Sequence, residues 1–441
     1  MKLFITTLAI SFFAATASAE HVFPYRYRNE SLPNGLRVIF IPMSSGGLVS
    51  YWSIVRTGSR DEVEPGRSGY AHFFEHMMFR GTDKYPGPVY DRIINGIGAH
   101  SNAFTTDDFT AFHLTFAKED LAKVIELEAD RFQNLHYDKP AFQTEAGAVY
   151  GEYRKDQTEP EFTLEEHLRN TAFDKHTYKH TTMGFEADVR NMPQGFEYSM
   201  SFFRHFYRPE NVVLLVVGDF DPAPTLKLIN EHYGPWKPGY AAAKIVREPP
   251  QLAERHAEVI HPGKTQPILD LAYRGDGFDP KNRDYVAARL FADLAFGPTS
   301  DAYKQLVLDQ QTAESISCSI PMNRDAYLFE VSTVVKRVED IDAVQKVLET
   351  TIARFQTKPV DATQLARMKR HAKYDFLMQL DAPMKTAQAT VPFISATGGI
   401  EAIDDLFTEA EKVTPEDVQA AASKYFVPQR RTVIVLKGAQ P

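Results

Sequence analysis

Two stretches about half a chain apart follow the same order. Phe206-Tyr207-Arg208-Pro209 leads into the apolar run Val212 to Val217 and then Gly218; Tyr425-Phe426-Val427-Pro428 leads into Thr432 to Leu436 and then Gly438. In each, a helix end, an aromatic pair and a proline precede a buried strand. An echo at this separation predicts two similarly folded halves. Length agrees, because 441 residues exceed what one hydrophobic core organises, and two domains of about 200 residues are the expectation.

Between the halves, the stretch Trp236 to Gln251, with Pro235, Pro238, Gly239, Pro249 and Pro250 in or beside it, reads as an extended linker and not a Gly/Ser tether. The expected boundaries are a leader at 1–19, a first domain at 20–236, a linker at 237–254 and a second domain at 255–441. Strands and helices alternate without a regular βαβ rhythm. The fold class is therefore expected to be α+β, with two structurally similar halves, each a mainly antiparallel sheet with helices packed on one face.

The local signals fill in the first half. Asn34-Gly35 marks a hairpin turn before the strand Leu36 to Ile41, and a second strand covers Leu48 to Val55. Gly69 to Phe79 reads as a helix ended by Gly81, and another runs from Pro86 to about Gly96. Strand character spans Ala103 to Phe116. Helices then cover Lys118 to Leu135 and Lys139 to Gln157, with Pro140 suited to a first turn.

Lys2, the apolar stretch Leu3 to Ala15, and Ala17-Ser18-Ala19 before Glu20 have the order of a secretory signal cut after Ala19. An exported chain, periplasmic or secreted, is expected. No later run approaches the roughly 18 apolar residues of a membrane span. Cys318 is the single cysteine, so neither an intrachain disulfide nor a cysteine-rich zinc site is available; its alternating apolar context reads as a strand. The formal charge of -9 argues against nucleic acid as the main partner.

The chemistry concentrates in His72-Phe73-Phe74-Glu75-His76. On a helix, positions i and i+4 share a face one turn apart, so both imidazoles reach one metal ion. Glu75 falls beside that ion, where a carboxylate takes a proton from water and returns it to a leaving amine. The His-x-x-Glu-His order is the inverted zincin signature. Zinc needs a third protein ligand, and Glu145 and Glu152, two turns apart on one helix face, are the candidates. One would bind and the other support a ligand, and spacing leaves open which is which. Phe73, Phe74, Met77, Met78 and Phe79 make this helix apolar nearly all round. Burying two histidines and a glutamate without a partner is costly, and a metal removes that cost.

These residues resemble the pitrilysin family, which includes insulin-degrading enzyme and the mitochondrial processing peptidase. The resemblance runs through Leu32-Pro33-Asn34-Gly35-Leu36, Gly58 to Glu62, Gly69 to Met77 with Phe79, and Gly81-Thr82. It implies that Glu152 is the third zinc ligand and Glu145 its supporting carboxylate, with one Zn2+ per chain and Glu75 as base. It also implies that Asn102-Ala103-Phe104-Thr105 is a substrate strand whose edge pairs with an extended peptide. Tyr178, Gly184, Asp188 and Phe206 to Asp219 continue the pattern.

The second half departs from it. Laid over Leu294 to Tyr303 and Leu306, the family's substrate-binding arginine and the tyrosine seven residues later fall on Leu308 and Ser315. The resemblance thus points to the zinc-bearing subunit of a short two-chain bacterial member, with a related metal-lacking subunit supplying the Arg/Tyr pair. The expected activity is zinc-dependent endopeptidase action on oligopeptides or small unfolded polypeptides in a clamshell chamber. The rival readings are a non-catalytic binding or assembly subunit and a zinc amidase acting on small molecules. His100, His113, His136, His176, His180 and His205 are read as surface or satisfied histidines, and Asp107-Asp108 as a solvated turn.

Overall fold

A computed structural model describes residues 21–439 of the protein; the expected leader at 1–19 lies outside them. The first half contributes β1 (Arg28–Ser31), β2 (Arg37–Pro42), β3 (Leu48–Val55), β4 (His100–Thr105), β5 (Thr110–Ala117) and β6 (Val212–Gly218). They form a six-stranded sheet in the order β1-β2-β6-β3-β5-β4. The second half contributes β7 (Arg255–His261), β8 (Ile268–Arg274), β9 (Ala313–Ser319), β10 (Leu328–Val335) and β11 (Arg431–Gly438), ordered β7-β11-β8-β10-β9.

The echoed runs become β6 and β11, and they occupy the same place. Each lies parallel to one neighbour and antiparallel to the other: β6 between β2 and β3, β11 between β7 and β8. All other pairings are antiparallel. The two halves are therefore the same fold, mainly antiparallel with one parallel pair in each sheet. By this correspondence the open edges match too, β4 in the first sheet and β9 in the second.

Alternation along the strands gives each sheet two apolar faces. Val38, Phe40, Tyr51, Phe112, Leu114 and Leu214 pack against the first half's own helices. The opposite face, with Ile39, Trp52, Ile54, Leu215 and Val217, joins the core of the second half. The helix Pro383–Thr397 covers it, packing on β3 and β6. Reciprocally, the first half's helix Pro160–Ala172 lies on β7 and β11, where Leu164, Leu168 and Ala172 meet Val259, Ile268, Ala272 and Ile434. Each half thus lends one helix to the other's sheet.

Polar contacts lock this exchange. Arg37 Nη1 donates to Gly398 O at 2.6 Å and Arg56 Nε to Ser395 O at 3.0 Å, placing two cations at the negative end of the helix Pro383–Thr397. Residues 236–254 form neither helix nor strand, yet Glu248 pins them. Its carboxylate accepts from the N–H groups of Asp174, Lys175 and His176 at 2.7, 2.8 and 2.8 Å and from Arg274 Nη2 at 3.0 Å.

One expectation needs correcting. The strand character of Ala103 to Phe116 falls into two strands, β4 and β5, joined by a tight turn in which Thr106 N–H donates to Phe109 O at 2.8 Å. Asp107 and Asp108 at its tip are buried, not solvated. Asp107 takes Arg169 Nη1 at 2.7 Å and Ser59 Oγ at 2.8 Å, and Asp108 takes the Tyr178 hydroxyl at 2.8 Å. Those partners lie far away in sequence, and they are what makes burying two carboxylates affordable.

Burial raises the Glu248 carboxyl, but the three backbone donors and Arg274 outweigh it and hold the group below its ordinary value. A depressed folded pKa contributes stability above the unfolded value that is lost as pH falls through the folded one. Glu248→Gln is therefore expected to lower the melting temperature at pH 7, with the gap to wild type closing as pH falls below 4; calorimetry across pH 3–7 checks it.

Candidate metal centre

The motif helix, Tyr70–Met77, is held by aromatic packing on the side away from the site. Phe73 meets Phe142 edge-on at 5.0 Å between centroids, and Phe74 stacks on Phe202 at 5.3 Å. This anchoring fixes the helix's rotation and turns His72 and His76 toward the helix Lys139–Asp156. That second helix starts at Asp138, whose side chain accepts from Ala141 N–H at 2.8 Å, and it presents Glu145 and Glu152 two turns apart.

Three atoms converge. His76 Nε2 lies 3.2 Å from His72 Nε2 and 3.2 Å from Glu152 Oε2, and His72 Nε2 lies 3.7 Å from the same oxygen. Among the described residues this is the one group of three or more His, Cys, Asp or Glu able to share an ion. For metal–ligand bonds of about 2.0–2.1 Å, tetrahedral geometry puts ligand atoms roughly 3.3 Å apart, so the triangle has the dimensions of a zinc site. Two imidazole nitrogens and a carboxylate oxygen face one another here, a donor set that would suit a shared cation. His72 Nδ1 is buried with no hydrogen-bond partner among the described residues, so the ring's polar contacts are all on its Nε2 side.

Support for the other ring is direct. His76 Nδ1 lies 3.0 Å from Glu145 Oε1, which fixes the tautomer that leaves Nε2 available. Glu145 is in turn held by Arg80, through Nε at 2.5 Å and through Nη2. Arg80 is the contributor that sequence reasoning missed; a cation four residues past His76 is the only signal it left. The two rings differ in basicity. Burial and the neighbouring His76 charge push His72 down to about 4, while hydrogen bonds to Glu145 and Glu152 raise His76 to about 9.

Glu75 faces the edge strand. Its Oε2 accepts from Thr105 Oγ1 at 2.7 Å. Burial raises its pKa, and the Thr105 hydroxyl offsets part of that. Of the four residues read as a substrate strand, Ala103 and Thr105 point to the motif-helix side. Asn102 and Phe104 lie opposite His113 and Ala111 on the other face. Because Thr106 bonds to Phe109 across the turn, antiparallel alternation turns the main-chain groups of Ala103 and Thr105 outward to the open edge. The Ala103 N–H is met there by Asn102 Oδ1 at 2.9 Å.

In the second half, Leu308 is exposed on the helical turn Lys304–Asp309, and Ser315 is exposed on β9. Of the scattered histidines, His113 stacks on Trp52 and His176 lies 3.0 Å from Asp325 Oδ2. Cys318 is a partly buried residue of β9.

Comparison with known proteins finds two family matches along the chain. The family described as Insulinase (Peptidase family M16) matches residues 38–186, and the Peptidase M16 inactive domain matches residues 198–371. The chain belongs to peptidase family M16. The zinc protease PqqE of Helicobacter pylori is 25% identical over 96% of this chain and 95% of its own. The mitochondrial-processing peptidase subunit beta of Blastocladiella emersonii is 24% identical over 92% and 87%. The crystal structure of a protease from Helicobacter pylori superposes with a TM-score of 0.87 at 25% identity, covering 94% of this chain and all of that one. An M16 assignment supports a peptidase activity. No helix among the described residues is long and apolar enough to cross a membrane.

If Glu145 supports His76 as a ligand, Glu145→Gln is expected to weaken zinc uptake by about 10–100-fold. Competition with a chromophoric chelator measures it; wild-type affinity in the variant would remove Glu145 from the site.

Proposed function

We propose that this M16 chain is a zinc metalloendopeptidase that cleaves extended oligopeptides or small unfolded polypeptides, with His72, His76 and Glu152 as ligands and Glu75 as base. The observation that carries the reading is the convergence of His72, His76 and Glu152 on one point, with Glu75 next to it and bonded to the edge strand. Zinc, when bound, supplies Lewis acidity that polarises the scissile carbonyl and acidifies water.

The chain's own residues do the rest. Glu75 accepts the proton of the attacking water and returns it to the leaving amine. Its raised pKa, set by burial, keeps the carboxylate a stronger base than an exposed glutamate. The outward main-chain groups of Ala103 and Thr105 on β4 pair with the peptide backbone, which gives affinity without demanding one sequence. The Thr105 hydroxyl ties that strand to the base, so a peptide aligned on the edge is also aligned on Glu75. Substrate choice follows length and flexibility under this arrangement.

The reading includes a partner. Leu308 and Ser315 offer neither the cation nor the hydroxylated ring that would stabilise a developing oxyanion, a loss of about two to three orders of magnitude in rate. A related metal-lacking chain supplying an Arg/Tyr pair would complete the site, and one relative is itself named as a subunit. The signal-like order of residues 1–19 supports export to the periplasm or outside the cell.

Glu75→Gln is expected to keep stoichiometric zinc and to lose turnover by at least about 10²-fold. Retained turnover would dismiss Glu75 as the base, and retained turnover in a metal-stripped chain would dismiss the metal. A peptide-length series separates this reading from a small-molecule amidase, with cleavage improving over several residues. Native mass spectrometry is expected to find a second M16 chain beside the zinc; full activity in the isolated chain would rule the partner out.

A further inference from the structure

The motif helix starts on a residue that has no side chain to cap it. Gly69 holds a left-handed φ of +90°. The first amides of the helix go to Glu62, whose carboxylate accepts from Gly69 N–H at 2.8 Å and from Ala71 N–H at 2.7 Å. Glu62 is only 4% exposed. A carboxylate at the positive end of a helix stabilises it and, when buried and bonded to two amides, also fixes where the first turn lies.

Glu62 directly follows the short turn Ser59–Asp61, which is fastened from both halves. Inside the first half, Arg60 N–H donates to Asp107 O at 2.8 Å and Thr177 Oγ1 donates to Arg60 O at 2.6 Å. Gly58 permits this closeness, because a Cβ there would come within 2.2 Å of Thr106 O. From the second half comes the loop between β9 and β10. Asp325 Oδ2 accepts from Arg60 Nε at 2.6 Å and lies 3.0 Å from His176 Nε2. Beside it, Arg324 N–H donates to Asp108 Oδ2 at 2.9 Å and Asp325 N–H to the Tyr178 hydroxyl at 3.3 Å. The Arg60 side chain is 12% exposed and that of Asp325 34%, so the pair is only partly open to solvent screening.

We propose that Asp325 is a positioning residue for the metal centre: through Arg60 and Glu62 it fixes the start of the motif helix, and so the aim of His72, Glu75 and His76. The second half then contributes to the site without touching it. Asp61 and Asp108 also lie near Arg60, at 3.2 and 3.8 Å, but both belong to the first half. Asp325 alone of the three ties it to the other half. The motif helix is eight residues long, so a tilt at its first turn reaches both imidazoles. A misplacement of about 1 Å at a catalytic group costs on the order of 10²-fold in rate.

The kinetic half of the test rests on the peptidase reading; the structural half does not. Asp325→Ala and the isosteric Asp325→Asn, in the full-length mature chain, are compared with wild type by hydrogen exchange over residues 69–77 in metal-free protein. They are then compared by kcat and KM in the zinc-loaded enzyme. Faster exchange over 69–77, and kcat lower by about tenfold with KM within about twofold, are expected. Asp325→Glu is expected to recover part of both. Arg283→Ala, which breaks the ion pair with Glu409 in the second half, is expected to leave exchange over 69–77 unchanged. Faster exchange confined to residues 321–327 in both Asp325 variants would overturn the proposal, as would Arg283→Ala speeding 69–77 equally. Absence of peptidase activity in the wild-type chain would overturn the functional reading while leaving the exchange result able to decide the relay.

Discussion

The first half is organised around a conflict on one short helix. Phe73, Phe74 and Met77 are fully buried, and their packing fixes the helix's rotation. The same turn of backbone carries two imidazoles and a carboxylate that lose hydration as those aromatics settle. The polar groups are then met from two other elements, the helix Lys139–Asp156 and the strand β4. Glu145 reaches His76, Thr105 reaches Glu75, and Glu152 approaches both rings. Apolar burial supplies the rigidity, and the polar groups inherit a geometry they could not have held by themselves.

The exchange of helices between halves extends that rigidity across the molecule. A sheet with two apolar faces needs two covers, and each half makes only one for itself. The helices Pro160–Ala172 and Pro383–Thr397 supply the missing ones, with Arg37 and Arg56 on the end of the second. The second half is therefore part of the scaffold of the half that carries the candidate metal centre. Glu248 reinforces this by tying the middle of the connecting chain to a loop of one half and an arginine of the other.

Much of this is written in short-range pattern. The doubled aromatic-x-Pro-strand run foretold two equivalent halves because it marks the same structural position twice, β6 and β11. The spacing of His72 and His76 foretold a shared face because helical periodicity is local. Helical spacing left Glu145 and Glu152 equivalent and only the family resemblance told them apart; in the structure Glu145 meets Nδ1 of His76 while Glu152 lies near Nε2 of both rings. Asp107 and Asp108 were read as solvated because nothing nearby in sequence announces Arg169 or Tyr178. The lent helices were equally silent. Their amphipathic pattern says that a face is buried, and says nothing about which sheet buries it.

The matched open edges of the two sheets differ in character. On β9 the residues Ser315, Ser317 and Ser319 are all exposed, whereas β4 carries Ala103 and Phe104 with its outward amides. An open edge presents unpaired main-chain groups to any extended chain, and of the two β4 is the one tied to the motif helix, through Thr105 and Glu75. A backbone settling on β4 would therefore lie along the very strand to which the Glu75 carboxylate is bonded.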